Sequence, residues 1–444
     1  DEKVTAFFNI NRTYYQAAQK ENVPEAVTKQ IEKTRKNFDK YYIANYFAFY
    51  DMLFIDTEGR VFYTLRKEDD IYRNLLQPTG APSPLGKCIA EKPRKETFVD
   101  FHDYGPSRAP AAFFVQPVRK DNKIIGWMAL QLAINKVNSL FTSADNLGQT
   151  GEVFLVNQNG YMLTDSNFDG DSSILQRHLA DKNIRAKFKT RSGHRTVIDY
   201  RGAVALSSFE VLDFKGAAWL VVAKIDKAEV TTDHFKQHPK FYSQRLVEYF
   251  KNARTPTLTP CKNHEHQTAL RVDMDEFLKA KKGETLETFG VSTCTGVLAA
   301  YPGRFGYLAH ISPHDRLYGD TNTDLLGQMT DNIKKFHIYP FEQRNLIFVI
   351  VSPHQNTLVP ALRRLVDQGF LLSQIRFVHN PEAESAAMLY QYTSNNLCVI
   401  WKTADGRRGE QHHCLEKLRD VGAIVEEIMQ QEDIETQIEN TPPA

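Results

Sequence analysis

One pattern occurs twice in this chain and limits its fold more than any other feature. Residues 50–65, YDMLFIDTEGRVFYTL, set alternating apolar positions on both sides of Glu58-Gly59, and residues 151–166, GEVFLVNQNGYMLTDS, do the same around Asn159-Gly160. Alternation interrupted by a glycine turn is the signature of a β-hairpin. After the first hairpin come a short helical stretch, GKCIAEKP (86–93), and strands TFVDF (97–101), PAAFFVQPVR (110–119) and IIGWMALQLAI (124–134), the last two joined at Asp121-Asn122. After the second come a helical stretch near Ile174–Asp181 and strands HRTVIDY (194–200), AVALSSFEV (203–211) and AAWLVVAKID (217–226). A repeat of this length predicts two similar lobes. Ahead of them, residues 5–45 read as one or two helices, with Val27, Ile31, Thr34 and Phe38 on one face and Pro24 marking a break. They form either a stalk or a helix packed on a sheet.

Composition narrows the class. The 444 residues are 42% hydrophobic and 25% charged, with a net charge of +1. That allows about two to four globular domains. There is no basic stripe interleaved with aromatics, so nucleic acid is not an expected partner. The strongest apolar strings, LIFVIV (346–351) and AAWLVVA (217–223), are strand-length and short of the roughly 18 residues a membrane helix needs. The start at Asp1, without a signal peptide, suggests the mature or trimmed part of a longer protein whose membrane anchor lies outside these residues. Five cysteines, Cys88, Cys261, Cys294, Cys398 and Cys414, are too few and scattered for a disulfide framework, and the odd count leaves at least one free thiol.

The segments DMLFIDTEGRVFYT, FVDFHDYGPSRAPAAFFVQPV, IIGWMALQLAINKVNSLF and TGEVFLVNQNGYMLTDSNF resemble, in order, the double Cache ectodomains of bacterial chemoreceptors and sensor kinases. The resemblance covers residues 1–227. It implies an extracytoplasmic small-molecule sensor, periplasmic or at the cell surface, with two PAS-like lobes: a membrane-distal one at 46–140 that holds the pocket and a membrane-proximal one at 150–227, behind an N-terminal stalk helix at 1–45. Asp100, Tyr104, Arg108, Phe114, Trp127 and Gln131 are the pocket candidates, aromatic walls with a few polar groups. Amino-acid-binding Cache domains place an aspartate on the last distal strand to accept the ligand's ammonium group. Here that place falls on Gln131, which argues against an α-amino acid, and Arg108 offers a bidentate partner for a carboxylate.

Residues 228–256 read as a connecting helix, and 255–268, TPTLTPCKNHEHQT, as a polar linker. Cys261, His264 and His266 in that linker have a spacing that would suit zinc, but no second ligand pair follows, so no metal site and no cofactor are expected. The third domain runs over 268–429. Its helices are expected at 323–336, around Leu358–Val366, at AESAAMLYQY (383–392) and from Leu418 to Ile428, with strands NLIFVIV (345–351), IRFVH (375–379) and LCVIW (397–401). Residues 430–444 read as an acidic tail.

Within this domain, Thr285–Ser312 contains two strand-type runs, TGVLAAY and RFGYLAHIS, around Pro302-Gly303. A two-residue loop would set Cys294 opposite Ile311, and a three-residue loop ending at Gly303 would set it opposite His310. Either register makes a thiol and an imidazole neighbours, the pair that nucleophilic cysteine catalysis needs; the plain alternative is a buried apolar cysteine. Residues 269–315 resemble CheD, the chemoreceptor glutamine deamidases: VDMDEF (272–277) for a VGMGEY-like strand, TFGVSTCTG (288–296) for the nucleophile segment and FGYLAH (305–310) for GGLAH. That resemblance implies a layered α/β/β fold, so that the whole chain would be α+β, with Cys294 as nucleophile, His310 as base and then acid, and Thr288 orienting them. Ser292-Thr293 replace the usual Gly-Ser, and Tyr307, replacing a glycine, would narrow the pocket mouth. CheD acts in the cytoplasm and Cache domains outside it, yet no spanning segment separates the two halves here. Three readings follow: a sensor fused to a deamidase with a protein substrate, a non-enzymatic sensor whose third domain docks a signalling partner, or a small-molecule receptor whose partner, not its own third domain, gives the response.

Overall fold

The computed structural model describes residues 2–439 except 20–22, 46–48, 78–82, 133, 143–146, 180–183, 262–268, 320–322, 337 and 339–344. Helices α1 (Glu2–Ala18) and α2 (Glu25–Asn45) precede the first hairpin, β1 (Phe49–Asp56) and β2 (Val61–Thr64), which turns at Gly59 with φ +82°. Helix α3 (Pro84–Ala90) begins at Ser83, whose hydroxyl accepts from the Gly86 N–H at 3.0 Å. Strands β3 (Thr97–Tyr104), β4 (Ala109–Lys120) and β5 (Lys123–Leu132) complete an antiparallel sheet in the order β2-β1-β5-β4-β3. Asp121 and Asn122 both have positive φ, the requirement of a two-residue hairpin turn whose twist matches its strands. One sheet face packs Leu53, Ile55, Phe113, Val115 and Trp127 against Leu85 and Ile89 of α3. The other packs Phe54 and Phe62 against Phe7 and Phe8 of α1, with Phe38 of α2 stacked on Phe7 at 3.7 Å. The N-terminal segment is therefore two helices laid on a sheet rather than one long stalk helix.

Helix α4 (Ile134–Thr142) leads to the second lobe: β6 (Glu152–Val156), α5 (Ile184–Thr190), β7 (Ser192–Ile198), β8 (Val204–Phe214) and β9 (Ala217–Asp226), in the order β6-β9-β8-β7. The second arm of its hairpin is reduced to a bridge between Val156 and Met162. The helix expected near Ile174–Asp181 is absent from the described part of that span. Leu175 and Arg177 hydrogen-bond back to Met162, and Tyr161 bridges His178, so these residues line the hairpin instead.

The chain divides into two compact units: 1–147, 151–200 and 206–224 in one; 148–150, 201–205 and 225–444 in the other. In the second unit, α6 (Lys227–Gln237) and α7 (Pro239–Lys251) replace the single connecting helix, broken at His238 because Pro239 starts a new helix more readily than it continues one. Phe235, Tyr242, Leu246 and Phe250 bury into the core, so these helices belong to the domain rather than space it.

Two five-stranded sheets follow. Their strands are β10 (Ala269–Arg271), β11 (Glu276–Ala280), β12 (Thr285–Val291), β13 (Thr295–Tyr301) and β14 (Phe305–Ile311), then, after α8 (Leu325–Lys334), β15 (Ile347–Ser352). After α9 (Gln355–Asp367) come β16 (Ile375–His379), β17 (Ala383–Gln391), β18 (Asn396–Thr403), β19 (Arg408–Cys414) and α10 (Val421–Glu439). The sheet β11-β14-β13-β15-β16 is buried on both faces: helices cover one, and the sheet β10-β12-β17-β18-β19 packs on the other through Leu298, Leu308, Val349, Met388, Val399 and Trp401. Hence the run-on apolar character of β13, β14 and β15.

AESAAMLYQY, expected as a helix, is strand β17. Its alanines favour a helix, but the segment is hydrogen-bonded between β12 and β18, and that pairing overrides propensity. Leu418 lies before α10 rather than in it, and the expected tail is helical as far as Glu439.

Candidate functional site

The distal lobe gathers polar groups on the apolar, α3-facing side of its sheet. Alternation along β1 puts Asp51 on the same face as Leu53 and Ile55, and antiparallel register sets it directly opposite Gln131 of β5, which is itself opposite Phe113 of β4. Asp51 Oδ1 accepts from the N–H groups of Met52, Leu65 and Arg66 at 2.7–3.1 Å. Its Oδ2 is enclosed with no donor. Tyr104 donates to Asp70 Oδ2 at 2.8 Å, leaving Asp70 Oδ1 enclosed and unpartnered. Gln131 Nε2 donates to Ser107 at 3.2 Å, leaving Oε1 in the same condition. His102 Nδ1 lies 3.0 Å from the Asp100 carbonyl, so Nδ1 carries the proton and the unpartnered Nε2 is also an acceptor. Asp51 and Asp70 are each 1% exposed and Gln131 2%. Tyr104 and Phe113 form the aromatic wall, 4.9 Å apart edge to face.

Such a cluster is short of donors. Burial pushes the Asp51 carboxyl up to about 7, helped by the negative charges of Asp70 and Glu68. Burial also raises Asp70, with Glu68 adding to the effect and the Tyr104 hydrogen bond and Arg73 opposing it. Burial lowers His102, so its imidazole is neutral. Buried acceptors without donors cost free energy, and a ligand that brings N–H groups and positive charge relieves that cost.

The proximal lobe shows what such a site looks like when complete. The repeat aligns Glu152 with Asp51, and register sets Glu152 opposite Lys224 of β9, where the distal lobe has Gln131. Lys224 Nζ is 3.0 Å from Glu152, pairs with Asp199 and lies 3.9 Å from the Tyr200 ring centre. Tyr200 also donates to Glu152 at 2.6 Å. Here the chain supplies its own ammonium group.

Of the residues singled out in the sequence, Tyr104 and Gln131 line the distal cluster. Trp127 shares their face, but its indole N–H is taken by the Pro93 carbonyl at 3.0 Å. Phe114 points to the opposite face, against Phe98 and Phe214, because neighbours on a strand alternate; Phe113 is the one that shares the face of the cluster. Asp100 faces that other side too, accepting from Trp219 at 2.9 Å. Arg108 is exposed, in left-handed backbone at the end of a short helical turn, so the carboxylate partner expected of it does not line the cluster. Asp51, Asp70 and His102 escaped the sequence reading, although an acid alternating with Leu53 and Ile55 was a usable signal.

In the second unit the Pro302-Gly303 hairpin has a register that neither loop expectation gave. Tyr301 pairs with Phe305 and Gly296 with His310, so the loop is Pro302-Gly303-Arg304 and Cys294 falls diagonal to His310. A Cβ at Gly296 would lie 2.1 Å from Met388 Sδ, so a larger residue there needs the buried Met388 side chain to shift. Thr288 Oγ1 donates to the Val272 carbonyl at 2.8 Å and lies 2.8 Å from His310 Nδ1. With its hydrogen committed, Thr288 accepts from Nδ1–H, and His310 Nε2 holds a free lone pair, enclosed and unpartnered.

Cys294 is buried, with Met274 Sδ 4.0 Å from its sulfur and the Met274 side chain itself exposed. Burial raises the thiol and so does the Asp275 carboxylate; burial lowers His310, against the pull of Asp275 and Asp273. The resting pair is a neutral thiol and a neutral imidazole. Asp275, missed in the sequence, has φ +62°, left-handed backbone that favours glycine. Tyr307 does not narrow the site. It sits on the other face of β14, 5.6 Å from Phe305 in the helix-covered core. His264 and His266 lie outside the described residues.

With this geometry in place, comparison gives the class. Residues 4–234, just over half of the chain, match the Cache domain family (dCache_1), and the chain belongs to that family. The match does not extend over the two-sheet domain. Similar solved structures include an extracellular ligand-binding receptor from Desulfohalobium retbaense, at 12% identity and TM-score 0.33, covering 50% of this chain and 38% of the receptor's. The ligand-binding domain of the Pseudomonas aeruginosa amino acid chemoreceptor PctB, in complex with L-Arg, is similar at 15% identity and TM-score 0.32, covering 52% of this chain and 89% of the other. That of the Pseudomonas fluorescens chemoreceptor CtaA, with L-leucine, gives 14% identity and TM-score 0.30, over 43% and 75%. No curated protein matches the chain. Among the described residues no helix is long and apolar enough to cross a membrane.

Proposed function

We propose that this chain is an extracytoplasmic small-molecule sensor whose distal Cache lobe takes a small cationic amine between Asp51, Asp70 and Gln131. One observation carries this reading: the buried acid of β6 faces a lysine, and its counterpart Asp51 on β1 faces a glutamine, with Oδ2 left without a donor. An ammonium group supplied from solution takes the place that Lys224 holds in the other lobe. Tyr104 and Phe113 supply the apolar wall, and the enclosed acceptors select for N–H donors over carboxylates. The PctB domain is in complex with L-Arg and the CtaA domain with L-leucine. Titration calorimetry with primary amines, α-amino acids, neutral polyols and dicarboxylates tests the reading. Amines bind and Asp51→Asn abolishes binding; uptake of dicarboxylates alone would refute it.

A second reading concerns the CheD-like constellation and is favoured by the Thr288-oriented imidazole, which lies diagonal to Cys294 across the hairpin, with no hydrogen bond joining its Nε2 to the resting thiol. His310 Nε2 takes the thiol proton, and the sulfur adds to a side-chain carboxamide carbon. The C–N bond then breaks, ammonia leaves with the proton from the imidazolium, and water hydrolyses the thioester to a carboxylate and free thiol. Met274 must move for a carboxamide to enter. Ammonia release from glutamine-containing peptides, lost in Cys294→Ala, is the expected result. No release above that control across a peptide panel leaves the domain as a docking module for a signalling partner.

A further inference from the structure

We infer that Cys398, Glu410 and His412, with Cys261 as fourth donor, form a Zn²⁺ site at the edge of the sheet β10-β12-β17-β18-β19. Cys398 of β18 is directly opposite His412 of β19, and Glu410, two residues earlier, shares their face. Cys398 Sγ lies 3.9 Å from His412 Nε2, and that nitrogen lies 3.0 Å from Glu410 Oε1. The three donor atoms all fall within 4.8 Å of one another. Tetrahedral zinc at bond lengths of about 2.0–2.3 Å holds its donors roughly 3.5 Å apart, so small side-chain shifts close the set around an ion.

The surroundings favour an ion over chance contact. Cys398 and Glu410 are both buried, while His412 opens to solvent and gives a route in. Glu410 is held from both sides: β18 pairs with it on one, and on the other Thr259 exchanges both backbone hydrogen bonds with it, at 2.9 and 3.1 Å. That bridge leaves Cys261 two residues along the same segment from Thr259, which offers it as the fourth donor. Thiolates with an imidazole and a carboxylate suit zinc and exclude the oxygen-seeking Ca²⁺ and Mg²⁺. Binding releases the thiol protons to solvent. The ion would reinforce the bridge by which Thr259 covers part of the outer edge of β19.

The test uses the full chain, reduced and stripped of metal, with Co²⁺ as a spectroscopic stand-in and Zn²⁺ as competitor. The expected result is one equivalent of Co²⁺ with a thiolate charge-transfer band and intense tetrahedral bands, displaced by Zn²⁺. Cys398→Ser removes much of the charge-transfer band, Cys261→Ser weakens it, and His412→Ala lowers affinity at least about tenfold. Because Cys398 is buried, circular dichroism checks each variant, and exposed His412 and Cys261 keep the test valid if Cys398→Ser fails to fold. Three results would overturn the proposal: no uptake by the reduced protein, Co²⁺ bands without thiolate character, or a spectrum unchanged by His412→Ala and Cys261→Ser.

Discussion

Asp51 is worth following through its titration. Its folded value of about 7 stands above the ordinary 3.8, a difference of roughly 4 kcal/mol between the two protonation states. The fold favours the protonated acid. Its stabilising contribution is therefore complete below about pH 4 and is lost as pH rises through about 7. Thermal melts of the ligand-free protein will show stability declining across that window, and Asp51→Asn will flatten the decline. A cation needs the ionised form, so amine affinity rises as pH rises through about 7, with proton release that calorimetry in buffers of different ionisation enthalpy will detect. Gln131→Lys should install the internal ammonium of the proximal lobe, stabilising the distal lobe at neutral pH and closing it to ligand. At the thiol, burial and Asp275 predict slow alkylation of Cys294 at neutral pH, and Met274→Ala should accelerate it by uncovering the sulfur.

At the scale of elements, pairing decides what alternation leaves open. The hairpin strands at 50–65, the turn at Asp121-Asn122 and the helices α3, α8 and α9 were legible, because their periodicity and turn residues are local. Strand β17 was not, since its alanine-rich string becomes a strand only between β12 and β18. The choice between Phe113 and Phe114 likewise required knowing which sheet face α3 covers. The strand pair β6–β9 yields its own prediction. Lys224→Met leaves Glu152 and Asp199 buried without a cation and should cost about 3–5 kcal/mol, measured by denaturant unfolding. Adding Glu152→Gln and Asp199→Asn should recover most of that loss.

For the molecule as a whole, each unit carries its own hydrophobic core, so ligand linkage is read unit by unit. A saturating amine at about 100 times its Kd should stabilise the first unit by roughly 2.7 kcal/mol and raise its calorimetric transition. The hairpin repeat and the mixed strands and helices that follow it were visible in the sequence. Of the distal cluster only Tyr104 and Gln131 were visible, and of the thiol site its three residues without their register.

Sequence alone determined where strands and turns form and which positions are apolar, because those preferences act between near neighbours along the chain. Only the tertiary structure decided which buried acid meets a lysine and which meets a glutamine. It also decided which sulfur is capped by a methionine and which faces an imidazole and a carboxylate. Those outcomes depend on strand register and packing between distant segments, and there a shift of a single residue exchanges a satisfied charge for an unsatisfied one.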